Sequence, residues 1–122
     1  MSRVALIKLQ PNQDLYSGLE TACHNAGIRA ALILSGVGSL NDAWFRSMGD
    51  ERESALQCVT GPGLELAGVT GEVNVEENGA GASTMTGWIT RPDGSVSGGV
   101  LVRDRNIVCI TFEFTIMEWA IC

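Results

Sequence analysis

The chain holds one histidine, one tyrosine and three prolines among 122 residues. A Ser-His-Asp or Cys-His arrangement would have to use His24, and no nucleophile motif accompanies it. The place of His24 within a helical stretch reads as a surface or boundary position. Basic residues are also few, eight Lys and Arg against fourteen Asp and Glu, for a net charge of −6. They are scattered, and the closest pair, Arg103 and Arg105, has Asp104 between them. Phosphate neutralisation needs a basic face, so the charge argues against nucleic-acid binding. No apolar run approaches the length of a membrane span, and no signal peptide precedes the first strand. The phosphate-binding pattern G-x-x-x-x-G-K-[ST] is missing. "SGVGS" (Ser35 to Ser39) holds a G-x-G, but no third glycine opens a helix after it. It reads as a turn where chains pack closely rather than a dinucleotide site.

Four cysteines are present, Cys23, Cys58, Cys109 and Cys122, without C-x-x-C spacing or a histidine cluster. They read as reduced, mostly buried thiols of a cytoplasmic protein, with an interchain disulfide at Cys122 as the alternative. An apolar fraction of 45% is that of an ordinary globular protein. The length predicts one domain, residues 1–122.

What is present gives an architecture. "RVALIKL" (Arg3 to Leu9) is a short strand, broken by Pro11-Asn12. From Asp14 to Ala26, Leu15, Leu19, Ala22, Cys23 and Ala26 recur at helical spacing. Asn12 is the candidate N-cap, Asp14 adds negative charge to the first turn, and Gly27 sits at a C-terminal cap position. "IRAALILSGVGS" (Ile28 to Ser39) is nearly continuous in apolar residues, as for a strand buried on both faces. Strand, helix, strand suggests a right-handed crossover unit. "LNDAWFRSM" and "RESALQCVT" read as two strands joined by "GDE". "GLELAGVTGEVNVEE" is a longer strand whose glycines mark a bulge or bend, and "NGAGA" (Asn78 to Ala82) is a loop. In the last strand, Asn106 to Ile121, residues Val108, Ile110, Phe112, Phe114 and Ile116 predict the core face. Cys109, Thr111, Glu113, Thr115 and Met117 predict a half-polar face toward water, a cavity or a subunit. The expected fold is α/β (α+β), a single domain with one main early helix and a mostly antiparallel mixed sheet.

"STMTGWITRPDGSVSGGVLV" (Ser83 to Val102) predicts a hairpin. "RPDGS" predicts a type I turn centred on Pro92 and Asp93, with Gly94 in the left-handed position. That register pairs Arg91 with Ser95, Thr86 with Val100 and Thr84 with Val102. Thr84, Thr86 and Val100 then share one face. Gly98 and Gly99 leave room beside them for another backbone or a ligand. An acid/base pair such as Glu65 with Glu113 is not selected by any motif.

The order of these segments resembles the PPC domain (plant- and prokaryote-conserved), which in plants accompanies AT-hooks. "AGIRAALILSGVGSLNDAWFR", "LELAGVTGEV", "DGSVSGGVL" and "ITFEFTI" carry the resemblance over nearly the whole chain. It implies a homotrimer with sheets packed around the threefold axis. Bacterial-type members carry H-x-H on one hairpin strand and the His of G-G-H on the other, a metal or ligand site near the subunit boundary. By position these fall on Thr84, Thr86 and Val100, so all three ligands are replaced and no metal cofactor is expected. The resemblance suggests a non-enzymatic module that binds a small ligand or protein partner in a pocket lined by Thr84, Thr86 and Glu113, beside Gly98 and Gly99. DNA binding, as the family is commonly described, is the alternative. An AT-hook core, R-G-R-P, is missing. An enzyme is a third class, with no reaction to assign.

Overall fold

The computed structural model describes residues 3–47, 49–52, 55–91 and 93–119. Eight strands and one helix follow in the order β1 (Val4–Leu9), α1 (Leu15–Asn25), β2 (Ala30–Leu40), β3 (Ala43–Arg46), β4 (Gln57–Val59), β5 (Leu64–Asn74), β6 (Thr84–Thr90), β7 (Val96–Leu101) and β8 (Val108–Glu118). They form one sheet of order β1-β8-β2-β5-β6-β7-β3-β4, and every recorded strand pair is antiparallel. β1 and β2 run parallel to each other with β8 inserted between them, so the crossover unit is split.

α1 forms where an apolar stripe meets a good cap. Asp14, not Asn12, is the N-cap: its carboxylate accepts from the amides of Tyr16 and Ser17 at 3.1 Å each. Asn12 has a φ of 73° and lies before the turn into the helix. At the other end the amide of Gly27 donates to His24 O and that of Ile28 to Cys23 O, so Gly27 ends the helix as expected. Leu15, Leu19 and Cys23 are buried, while Ala26 is exposed. His24 is also exposed, as its boundary reading requires.

One sheet face carries the core with α1 against it. Leu9, Ile33, Leu66, Met85, Leu101 and Phe112 are fully enclosed there. Tyr16 ties this face together. Its hydroxyl donates to Leu101 O at 2.7 Å and accepts from the Met85 amide at 3.0 Å. β2 is therefore buried on one face only: Leu34 is 47% and Val37 51% exposed. "SGVGS" is no turn but lies inside β2. A Cβ on Gly36 would press on Val69 and Phe114, so the close packing expected there is found within the sheet.

Three irregularities break strict alternation. β2 has one extra residue between Ile33↔Ile116 and Ser35↔Thr115, which leaves both Leu34 and Ser35 exposed. β8 is irregular between Val108 and Phe112, and Ile110 leaves the core to stand 66% exposed. Its amide donates to Ser39 Oγ instead. β5 shifts register between Ala67 and Thr70, at Gly68 within the glycine-interrupted strand. Of the cysteines, Cys23 is buried, Cys109 half-buried and Cys58 exposed, and these three are free. Among the described cysteines, Cys23 alone is fully buried, so the expectation of mostly buried thiols is not met at Cys58. Cys122 and Pro92 lie outside the described residues.

Candidate functional site

The hairpin register follows from its turn. The Arg91 amide donates to Ser95 O at 2.8 Å, and Gly94 takes a φ of 86°. Thr86 lies directly across from Val100, and both face the side of the sheet away from α1. Thr84 faces the same way but pairs with Glu72 of β5. The Thr84–Val102 pair is not part of the ladder, which ends at Thr86↔Val100, and the Val102 amide donates to Trp44 O next to β3's pairing with β7. Thr86 Oγ1 lies 3.3 Å from Thr70 Oγ1.

Both glycines of the G-G pair answer to protein rather than to an open cavity. A Cβ on Gly99, whose φ is 155°, would overlap the carbonyl oxygen of Arg46 in β3. One on Gly98 would overlap Gly87 O and lie 2.6 Å from Trp88 Cβ. Of the two alternatives, another backbone is what approaches. Trp88 itself lies over Gly68 and remains 44% exposed.

Glu113 does not join the threonines. It stands on β8, three strands from β6, about 14 Å across the sheet at ~4.8 Å per strand. Glu65 is exposed on β5 opposite Ser39, two strands from Glu113. Glu113 instead helps line a separate hollow of about 230 Å³ over β8, with Leu6 and Lys8 of β1 and Ser35 and Val37 of β2. Thr115 completes its floor. Register explains the grouping: Lys8↔Glu113↔Val37 and Leu6↔Thr115↔Ser35 are two adjacent cross-strand rows. Sequence reasoning found Glu113 but missed Lys8 and Val37. The alternation of Val4, Leu6 and Lys8 against Ala5, Ile7 and Leu9 was the available signal for β1.

Behind the sheet lies a second polar group with a structural role. Arg103 clamps Glu20 through Nη1–Oε1 and Nη2–Oε2, both 2.7 Å. The Ser83 amide adds 3.2 Å to Oε2, and Arg103 also stacks 4.8 Å from the Tyr16 ring centre. Burial alone would raise the Glu20 carboxyl; the Arg103 and Ser83 hydrogen bonds outweigh it and hold the group below its ordinary range. Asp14 moves the other way, raised chiefly by burial. Burial also pushes the Cys23 thiol up to about 11, so it is no nucleophile.

A transition metal does not fit positions 84, 86 and 100. Two hydroxyls and a valine offer no imidazole or thiolate, and one hydroxyl already meets Thr70. Among the described residues no group of three or more His, Cys, Asp or Glu could hold a metal ion.

The frame is that of a one-helix domain on a single antiparallel sheet, with the face away from α1 open among the described residues. The model of the Plants and Prokaryotes Conserved (PCC) domain matches residues 1–120, and the chain belongs to that family. Solved structures agree in fold. A hypothetical protein from Salmonella cholerae-suis is 26% identical, with a TM-score of 0.77 over 97% of this chain and 78% of its own. A plant- and prokaryote-conserved protein from Pyrococcus horikoshii is 21% identical, with a TM-score of 0.69 over 98% of this chain and 80% of its own. A protein from Bacteroides thetaiotaomicron, named as a candidate DNA-binding protein, is 17% identical, with a TM-score of 0.75 over 97% of this chain and 79% of its own. No curated protein matches.

Proposed function

We propose that the chain is a non-catalytic, homotrimeric member of its family that binds a small ligand at a subunit boundary on the open sheet face. One observation supports this reading: among the described residues, the sheet face away from α1 carries several large exposed apolar side chains. Val4, Leu6, Val37 and Trp88 are 64%, 82%, 51% and 44% exposed on it. Large apolar side chains left exposed on one sheet face, interleaved with Lys8, Glu113 and Thr115, support an interaction site there. Light scattering at micromolar concentration tests the assembly. A mass of three chains is expected, and a stable monomer overturns the reading. The replaced histidine positions support the absence of a transition metal from residues 84, 86 and 100. Stoichiometric zinc in protein purified without chelator, lost on changing those residues, overturns that part.

DNA binding is the second reading, favoured by the name of the Bacteroides thetaiotaomicron relative. The net charge of −6 opposes it. Arg3, Arg52 and Arg103 are each committed to a carboxylate. Retention on duplex DNA at two salt concentrations separates the readings, because phosphate contacts weaken steeply as salt rises.

A further inference from the structure

We propose that the hollow over β8 takes a small zwitterion of the aliphatic α-amino acid class, held between Lys8 and Glu113. This rests on the reading that the open sheet face binds a small ligand, and it names the ligand's chemistry.

Size sets the first limit. The hollow measures about 230 Å³. It is below the ~300–1,000 Å³ of sites that enclose drug-sized molecules, and suits a molecule of amino-acid size better than a nucleotide. Charge sets the second. Lys8 and Glu113 are directly opposed in the β1·β8 ladder, on the same exposed face. Neither side chain forms a hydrogen bond or ion pair with another described residue, although Arg3–Glu118, Arg46–Glu51 and Arg52–Asp50 all do so on the same molecule. An ammonium and a carboxylate thus border one small hollow with their hydrogen-bonding capacity unused. A simple anion would meet Glu113 and a simple cation would meet Lys8. A molecule with both charges a few ångströms apart satisfies both, carboxylate toward Lys8 and ammonium toward Glu113, in charge-assisted hydrogen bonds.

The other walls suit the rest of such a molecule. Leu6 and Val37 present exposed aliphatic carbon. Ser35 and Thr115, opposed in register, add two hydroxyls at the floor. The bulge at Leu34 opens the hollow, since it returns Ser35 and Val37 to this face after Ile33 has faced the core.

The test is calorimetric titration of the whole protein with three probes: L-leucine, 4-methylpentanoate, which lacks the ammonium, and 3-methylbutylamine, which lacks the carboxylate. Leucine is expected to bind saturably, with each half-ligand at least tenfold weaker. Lys8→Glu and Glu113→Lys should each lose leucine binding, and the charge-swapped double variant should regain it. Neither side chain is part of the core, so circular dichroism should show the fold intact in all three, and light scattering on each variant separates loss of the ligand from loss of the assembly. If a half-ligand binds as tightly as leucine, the zwitterion assignment fails while the small-ligand reading stands. If none of the three binds at millimolar concentration, the assignment is overturned; light scattering then reports on the trimer independently.

Discussion

Glu20 and Arg103, 83 positions apart in the chain, meet in a two-pronged ion pair that closes the space between α1 and the loop after β7. The Glu20 side chain is 4% exposed and that of Arg103 37%. The asymmetry decides what each substitution does. Arg103→Met leaves a carboxylate buried without its counter-charge. The expected loss is about 3 kcal/mol, the low end for breaking a buried pair, because Arg103 is partly solvated. Glu20→Gln frees Arg103 to water and keeps an acceptor for the Ser83 amide, so it should cost less. Urea denaturation of both variants measures the order, and the reverse order would refute the argument.

The same pair fixes a pH dependence. The Glu20 carboxyl is lowered in the folded state relative to the unfolded chain. The folded state therefore binds its proton less tightly, and the pair's contribution is complete above the ordinary glutamate range. It is lost as pH falls through the lowered folded value. Arg103→Met reverses the sign at this position, because burial then raises Glu20. Acidification should narrow the stability gap between wild type and Arg103→Met. A gap constant between pH 7 and pH 3 would count against this linkage.

Tyr16 predicts a loss without a change of charge. Tyr16→Phe removes the partner of the Met85 amide and of Leu101 O in a fully enclosed setting. Two backbone groups left unsatisfied cost about 1–3 kcal/mol each when no water reaches them. Thermal unfolding should show a clear drop in Tm for this one-atom deletion. A variant as stable as wild type would mean that water replaces the hydroxyl.

Local chemistry was legible in the sequence, and chain-distant chemistry was not. The "RPDGS" turn set the β6–β7 register because turn geometry acts over five residues, and Thr86↔Val100 follows by counting. The stripe Leu15, Leu19, Cys23 located α1 for the same reason. The insertion of β8 between β1 and β2 depends on no local signal. It separates Glu113 from the threonines and brings it to Lys8. Bulges at Leu34 and near Ile110 defeated alternation, which assumes an unbroken period of two. Glu20 had a readable clue: it falls four residues after Tyr16 and one after Leu19, on the buried side of the helix. A carboxylate there requires a cation, but only the fold says that it is Arg103.

Gly99 gives the last prediction. Its φ of 155° is one that side-chain-bearing residues rarely adopt, and a Cβ would overlap the Arg46 carbonyl oxygen. Arg46↔Val100 and Phe45↔Leu101 are the two recorded pairs that join β3 to β7. The Arg46 carbonyl belongs to the strand itself and cannot swing aside as a side chain would. Gly99→Ala should therefore force β3 from β7, at about 1–3 kcal/mol for overpacking, with backbone strain in addition. β4 hangs on β3 alone, so the damage should spread to the sheet edge. Hydrogen exchange should show faster exchange in residues 43–46 and 57–59 than in β1 or β8. Uniform loss of protection across all strands would show that Gly99 acts through global stability instead. Unchanged protection would show that the Arg46 carbonyl can yield.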